Sequence, residues 1–275
     1  MTDLYRGMDR AALDLAYNNS HAVTDAAAVL DDFLARSAHT YARRDCLRDL
    51  RYGEAARERF DWFPCGKADA PVFVFIHGGY WQSRDKEDFA FIVEGPLARG
   101  FNVVLAEYTL APEASMTQIV AQIARLLSRL QADVDGLGTA GRPLCLSGHS
   151  AGGHLTAMHR SHPAVSHAMP ISGLMDLEPI ALGTLNDPLQ LSAAEIERFS
   201  PQRHIGPGVP TLVSVGADEL PELVRHSREY AQACEAAGEP AAYLPVPGRN
   251  HFSILYDLAR PDGVQLCALC AALSA

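Results

Sequence analysis

Pro143-Leu144-Cys145-Leu146-Ser147-Gly148-His149-Ser150-Ala151-Gly152-Gly153-His154-Leu155-Thr156-Ala157-Met158 is the stretch that decides the fold. Its opening residues are short and apolar, which predicts a buried strand. Residues 153–158 predict the start of a helix. Between them lies Gly148-His149-Ser150-Ala151-Gly152, a G-x-S-x-G pattern. Between strand and helix, this pattern forms a sharp turn that lifts a serine hydroxyl out of the sheet. Glycines are needed there because the turn is strained and neighbouring backbone passes close. Ser150 is therefore the candidate nucleophile. The same pattern also arises in plain Gly/Ser loops, so its meaning depends on the partners around it.

On either side of the turn, short apolar runs alternate with helical patterns. Residues 72–76, 103–107, 144–146, 168–171, 211–215 and 242–246 read as strands. Residues 116–130 read as an amphipathic helix with Ile119, Ile123, Leu126, Leu127 and Leu130 on one side. Residues 221–237 and the tail 264–273 read as further helices. Continuous apolar strands between helices predict an α/β fold, a mostly parallel central sheet with helices on both faces. Ligands of such sheets bind at the carboxyl ends of the strands. Residues 1–50, alanine-rich at 11–17 and 26–35, predict an N-terminal helical extension. Residues 173–206 carry few strand signals and read either as a cap insertion over the site or as an ordinary helical insertion. The whole chain, 1–275, reads as a single domain.

With 275 residues and 48% hydrophobic content, the chain can bury one large core. A net charge of −10 argues against nucleic acid or an anionic membrane surface as partner. Residues 1–14 contain three aspartates and no continuous apolar run, so no signal peptide is expected. The longest apolar runs are too short to span a bilayer. The expectation is a soluble, cytoplasmic protein whose partner is a small-molecule substrate; a homodimer is left open. Cys267-Ala-Leu-Cys270 has C-x-x-C spacing but lies in an apolar helical tail with no second ligand pair. It reads as packed helix cysteines, and neither a metal nor a cofactor is expected.

The partners of Ser150 follow the predicted strands. His77-Gly78-Gly79-Tyr80-Trp81 comes directly after residues 72–76. Acyl transfer needs fixed donors for the negative charge that develops on the carbonyl oxygen, and backbone N–H groups serve well. The HGG-type loop supplies Gly79 and Tyr80, and the elbow supplies Ala151, as the expected oxyanion hole. The histidine must come late in the chain. His251 follows strand 242–246 within the turn-forming Pro247-Gly248-Arg249-Asn250. His149, His154, His159, His162 and His167 lie too near the elbow and read as packing or surface residues. His204 and His226 follow no strand end. The acid belongs just after strand 211–215, where Asp218 and Glu219 are adjacent. Either can hold an imidazole. The usual Gly-x-x-acid spacing counted from Gly216 favours Glu219 over Asp218. Ser150, Glu219, His251 is the Ser, acid, His order of the α/β-hydrolase fold.

These residues resemble the kynurenine formamidases (arylformamidases) of the α/β-hydrolase superfamily, which are related to hormone-sensitive-lipase-like esterases. The resemblance covers the chain from about residue 50 onward. It rests on His77-Gly78-Gly79-Tyr80-Trp81-Gln82-Ser83, on Leu146 to Leu155, and on Ser172-Gly173-Leu174-Met175-Asp176-Leu177-Glu178-Pro179-Ile180. Pro221-Glu222-Leu223, with Arg225 and Ser227, is similar to the family's stretch after its acid. Aligned there without a gap, the family's catalytic Asp falls on Glu219, one methylene longer. Tyr108-Thr109-Leu110-Ala111-Pro112-Glu113 is similar to a motif shared with the esterases and does not discriminate. The resemblance implies a metal-free serine hydrolase of tryptophan catabolism, cleaving N-formyl-kynurenine to kynurenine and formate. A carboxylesterase for short acyl esters would use the same triad and is the alternative. A non-catalytic binding protein of this fold usually lacks a triad member, and none is missing. Tyr80 and Trp81 are placed to wall an aromatic leaving group, although Trp81 is equally readable as core packing.

Overall fold

Val72–Ile76 is apolar throughout and every residue is buried, so this strand needs cover on both faces. It receives that cover at the centre of an eight-stranded sheet in a computed structural model that describes residues 4–274. The strands are β1 (Leu47–Arg51), β2 (Arg59–Phe63), β3 (Val72–Ile76), β4 (Asn102–Ala106), β5 (Leu144–His149), β6 (His167–Ile171), β7 (Thr211–Gly216) and β8 (Ala241–Val246). Their order is β1-β2-β4-β3-β5-β6-β7-β8. Strands β3 to β8 run parallel to one another, whereas β2 pairs antiparallel with both β1 and β4.

The α/β reading therefore stands, with one correction at its edge. Residues 47–50, placed in the helical extension, belong to β1 (Leu47–Arg51). Leu-Arg-Asp-Leu-Arg is mostly exposed, as a charged edge strand is, and so carries no apolar signal.

The register sets up the site. Ile76 pairs with Gly148, so the loop after β3 begins beside the turn after β5. Gly216 pairs with Val246, so the loops after β7 and β8 leave the sheet together.

Helices α1 (Arg10–Ala16), α2 (Asn19–Ala22) and α3 (Ala26–Arg43) form the N-terminal extension. They are followed by α4 (Glu94–Ala98), α5 (Met116–Gln131) and α6 (Ala151–Met158). Helix α5 starts at a capping box of Ser115 and Gln118 and buries Ile119, Ile123, Leu126, Leu127 and Leu130, the face its periodicity predicts. Val72, Val74 and Ile76 pack on the α5 side of the sheet, while Phe73 and Phe75 pack on the other. Leu13 and Tyr17 belong to the first of these cores, and Phe33 of α3 belongs to the second. Between Tyr17 and Phe33 the chain therefore crosses from one face of the sheet to the other.

Residues 173–206 hold three short helices, α7 (Glu178–Ala181), α8 (Asn186–Leu189) and α9 (Ala193–Arg198). Leu177, Ile180, Leu189, Leu191 and Phe199 sink into the α5-side core, and Glu195 accepts from Thr117 at the start of α5. Its apolar residues thus seat the insertion on the flank. Beyond it lie α10 (Pro221–Ala236), α11 (Ile254–Leu258) and α12 (Val264–Leu273). Cys267 and Cys270 are free thiols on α12. No helix among the described residues is long and apolar enough to cross a membrane.

Candidate active site

Ser150 sits between β5 and α6 with φ 56° and ψ −115°. A non-glycine residue held there stores about 1–3 kcal/mol of strain. Its N–H donates to the Ile171 carbonyl at 2.8 Å, which ties the turn to β6. The glycines are needed because backbones touch. A Cβ on Gly152 would lie 2.0 Å from the Ile76 oxygen and 2.8 Å from that of His77. Both are main-chain atoms of the central strand and its loop, so neither can swing aside. Gly152→Ala is expected to cost about 3 kcal/mol or more, read as a lowered urea midpoint; an unchanged midpoint would show that the elbow tolerates a wider turn.

The loop after β3 is anchored from below. His77 Nε2 meets Glu107 Oε1 at 2.9 Å, and its ring stacks on Tyr108 at 4.5 Å between centroids. Glu107 is fully buried and also accepts from Arg57 Nη2 at 2.8 Å and the Lys86 N–H at 3.0 Å. Burial pushes its carboxyl up, but His77 and Arg57 outweigh that and hold it at about 2. On this base Gly79, Tyr80 and Trp81 take φ values of 106°, 51° and 59°. The N–H groups of Gly79, Tyr80 and Ala151 have no acceptor among the described residues. They are the three donors expected for an oxyanion hole.

His251 and Glu219 meet as the parallel β7 and β8 direct them. His251 Nδ1–H donates to Glu219 Oε2 at 2.6 Å. The other carboxylate oxygen accepts from the Gly216 N–H at 2.7 Å and the Ser172 hydroxyl at 2.5 Å. The Glu219 side chain has no solvent exposure. Asp218 is exposed, and its carboxylate has no partner among the described residues. With Nδ1 committed to Glu219, His251 Nε2 is the free acceptor.

Ser150 and His251 line one cleft that opens to solvent. The Ser150 hydroxyl makes no hydrogen bond to His251, a contact that commonly tightens only with substrate present. A roomier groove along α3, lined by Arg36, His39 and Arg43, brings no serine or cysteine to its walls. Chemistry, not size, selects between them.

Two residue assignments change. Trp81 does not line the cleft: it is fully buried, edge-on to His154 at 4.9 Å, because the loop turns its side chain down into the core. The aromatic wall is made by Tyr80 with Phe89 and Phe252. The cap is also relocated. No residue of 173–206 lines the cleft among the described residues, whereas Asn19, Ser20 and Leu30 of the N-terminal extension do.

His149, read from sequence as packing, lines the cleft and lies 4.5 Å from His251 between ring centroids. Its Nε2–H donates to the His251 carbonyl at 2.7 Å, so it steadies that loop. Burial, then the nearby His251, push its pKa well below the ordinary histidine value and keep it neutral. His226 is buried between Tyr17 and the Met175 N–H, and His204 is exposed beside Glu197. Neither lines the cleft.

A model of the family described as BD-FAE matches residues 63–168. Kynurenine formamidase from Danio rerio is 33% identical over 231 residues, covering 77% of this chain and 76% of that protein. The chain belongs to the kynurenine formamidase family. The Drosophila melanogaster kynurenine formamidase is 31% identical, covering 78% and 77% of the two chains. A crystal structure from Silicibacter sp., described as a candidate thioesterase, superposes with a TM-score of 0.83 at 28% identity. That superposition covers 96% of this chain and 99% of the other. Membership of the kynurenine formamidases makes the chain a hydrolase of the α/β-hydrolase superfamily. Its cleft holds groups that such chemistry needs: a hydroxyl on a strained elbow, an imidazole held through one nitrogen, and residues with unpaired N–H groups.

Proposed function

We propose that this chain hydrolyses N-formyl-kynurenine to kynurenine and formate. The observation that carries the reading is one cleft. It joins Ser150, the His251 that Glu219 holds, and the residues bearing the free Gly79 and Tyr80 N–H groups to an aromatic wall, in a member of the kynurenine formamidase family. A formyl group needs little room beside Gly78 and Gly79, while the aryl amine lies against Tyr80, Phe89 and Phe252.

Ser150 Oγ attacks the formyl carbon as His251 Nε2 takes its proton. The carbonyl electrons move onto oxygen, which the Gly79, Tyr80 and Ala151 N–H groups receive. The intermediate collapses, the C–N bond breaks, and His251 returns the proton to the leaving aryl nitrogen. Water then attacks the formyl ester, again giving its proton to His251. Formate leaves, and the proton passes back to Ser150 Oγ. Aniline nitrogen is a better leaving group than an alkyl amine, so a triad of esterase type suffices.

The same groups would cleave a short acyl ester, and kinetics separate the two readings. The value of kcat/KM for N-formyl-kynurenine is expected to exceed that for 4-nitrophenyl acetate by about tenfold or more, since the aryl amine is bound as well as cleaved. Turnover of the ester with none of the formamide would reject the formamidase reading.

A further inference from the structure

One residue that lines the cleft over Ser150 carries a polar atom that the reaction above leaves unused. Asn19 is buried, with 4% exposure, and borders both this cleft and a neighbouring depression shared with His251 and Glu219. Asn19 Nδ2 donates to Tyr80 Oη at 2.9 Å. Tyr80 in turn donates its hydroxyl proton to the Tyr17 carbonyl. A carbonyl oxygen only accepts, so the single Tyr80 proton is committed there and Tyr80 offers Asn19 a lone pair. That sequence of donors fixes the amide with its nitrogen toward Tyr80. Asn19 Oδ1 is then left buried with no partner among the described residues. Of the buried, unpaired side-chain atoms among those residues, only this one belongs to a residue lining the cleft. Leaving a buried acceptor unmatched is costly, and native structures seldom retain one without a role.

We propose that Asn19 Oδ1 accepts a hydrogen bond from an N–H donor of the substrate, which makes Asn19 a specificity-determining residue supplied by the N-terminal extension. The inference rests on the formamidase reading, because a formamide carries such a donor at its scissile bond and a simple aryl ester carries none. N-formyl-kynurenine presents two, the anilide N–H and the ammonium of its amino-acid end. Tyr80 links the two parts of the device. Its backbone N–H faces the oxyanion and its hydroxyl orients Asn19, so the strap over the site and the loop beneath it are set by one side chain.

The test compares wild type with Asn19→Ala on three substrates. These are 4-nitrophenyl formate, with no N–H donor; formanilide, with the scissile N–H alone; and N-formyl-kynurenine, with both donors. Asn19→Ala is expected to lower kcat/KM for N-formyl-kynurenine by about tenfold or more beyond any loss it causes on the ester. The ester arm also reports that the variant is folded with a working triad. An equal loss on formanilide assigns the bond to the anilide N–H; a loss confined to N-formyl-kynurenine assigns it to the ammonium. Unchanged rates on both formamides, or equal losses on all three substrates, would overturn the inference while leaving the formamidase reading intact. Wild type that turns over the ester and neither formamide would overturn both.

Discussion

Ser150→Ala is expected to lower kcat by about 10⁶-fold, with little change in KM. The magnitude follows from what the elbow contributes. Alanine removes the only group that can form the covalent formyl intermediate, so water must attack the formamide directly. The unpaired N–H groups and the cleft remain, and they should sustain a residual rate about 10³-fold to 10⁴-fold above the uncatalysed one. The missing part corresponds to about 8 kcal/mol of transition-state stabilisation. Removing His251 as well should add little, because the hydroxyl and its base act as one unit. Steady-state kinetics on N-formyl-kynurenine, with loss of labelling by a fluorophosphonate probe, check this. A variant within tenfold of wild type would move the nucleophile elsewhere. Ser150 holds φ 56° because β5, α6 and the bond to Ile171 enforce it; alanine keeps the Cβ, and with it the strain and that backbone bond, so the loss of activity should come without a large shift in stability.

The parts legible in the sequence are those in which local chemistry and global placement agree. Val72–Ile76 is apolar without a break, and only a strand covered on both faces explains it. The glycines of the elbow betray a close backbone approach that the structure measures at 2.0 Å for Gly152. Glu219 was separable from Asp218 because the turn after β7 has a fixed spacing. The Gly216 N–H that begins that turn bonds the carboxylate itself.

What sequence could not give depends on side-chain direction or on distant segments. Trp81 and Tyr80 are neighbours in similar left-handed conformations, yet one enters the core and the other the cleft. Periodicity does not operate in such a loop. Phe89 reaches the cleft from a 3₁₀ segment, Lys86–Val93, with no motif of its own. Asn19 arrives only because α1 and α3 pack on opposite faces of the sheet and the chain between them must cross. A β-strand of charged residues such as β1 is stabilised by pairing with β2, and its own composition points elsewhere.

Glu219→Gln is expected to lower kcat by about 10⁴-fold, the consequence of fixing the wrong imidazole tautomer. The surroundings dictate the outcome. Glu219 Oε1 accepts from the Gly216 N–H, a backbone donor that cannot rotate, and from the Ser172 hydroxyl. A glutamine in this place must present its carbonyl oxygen to Gly216, because its NH₂ there would set donor against donor. The NH₂ then faces His251 Nδ1, which must accept instead of donate. The ring proton moves to Nε2, the nitrogen that has to receive the Ser150 proton, and the base is lost with the geometry intact. Asp218→Asn, by contrast, alters an exposed carboxylate with no partner among the described residues and should change kcat by no more than about threefold. Nitrogen-15 NMR of the His251 ring separates tautomer loss from simple misfolding: the Gln variant should show Nδ1 unprotonated in a folded protein. A larger loss in Asp218→Asn than in Glu219→Gln would transfer the triad's acid to Asp218 and require the loop after β7 to rearrange on binding substrate.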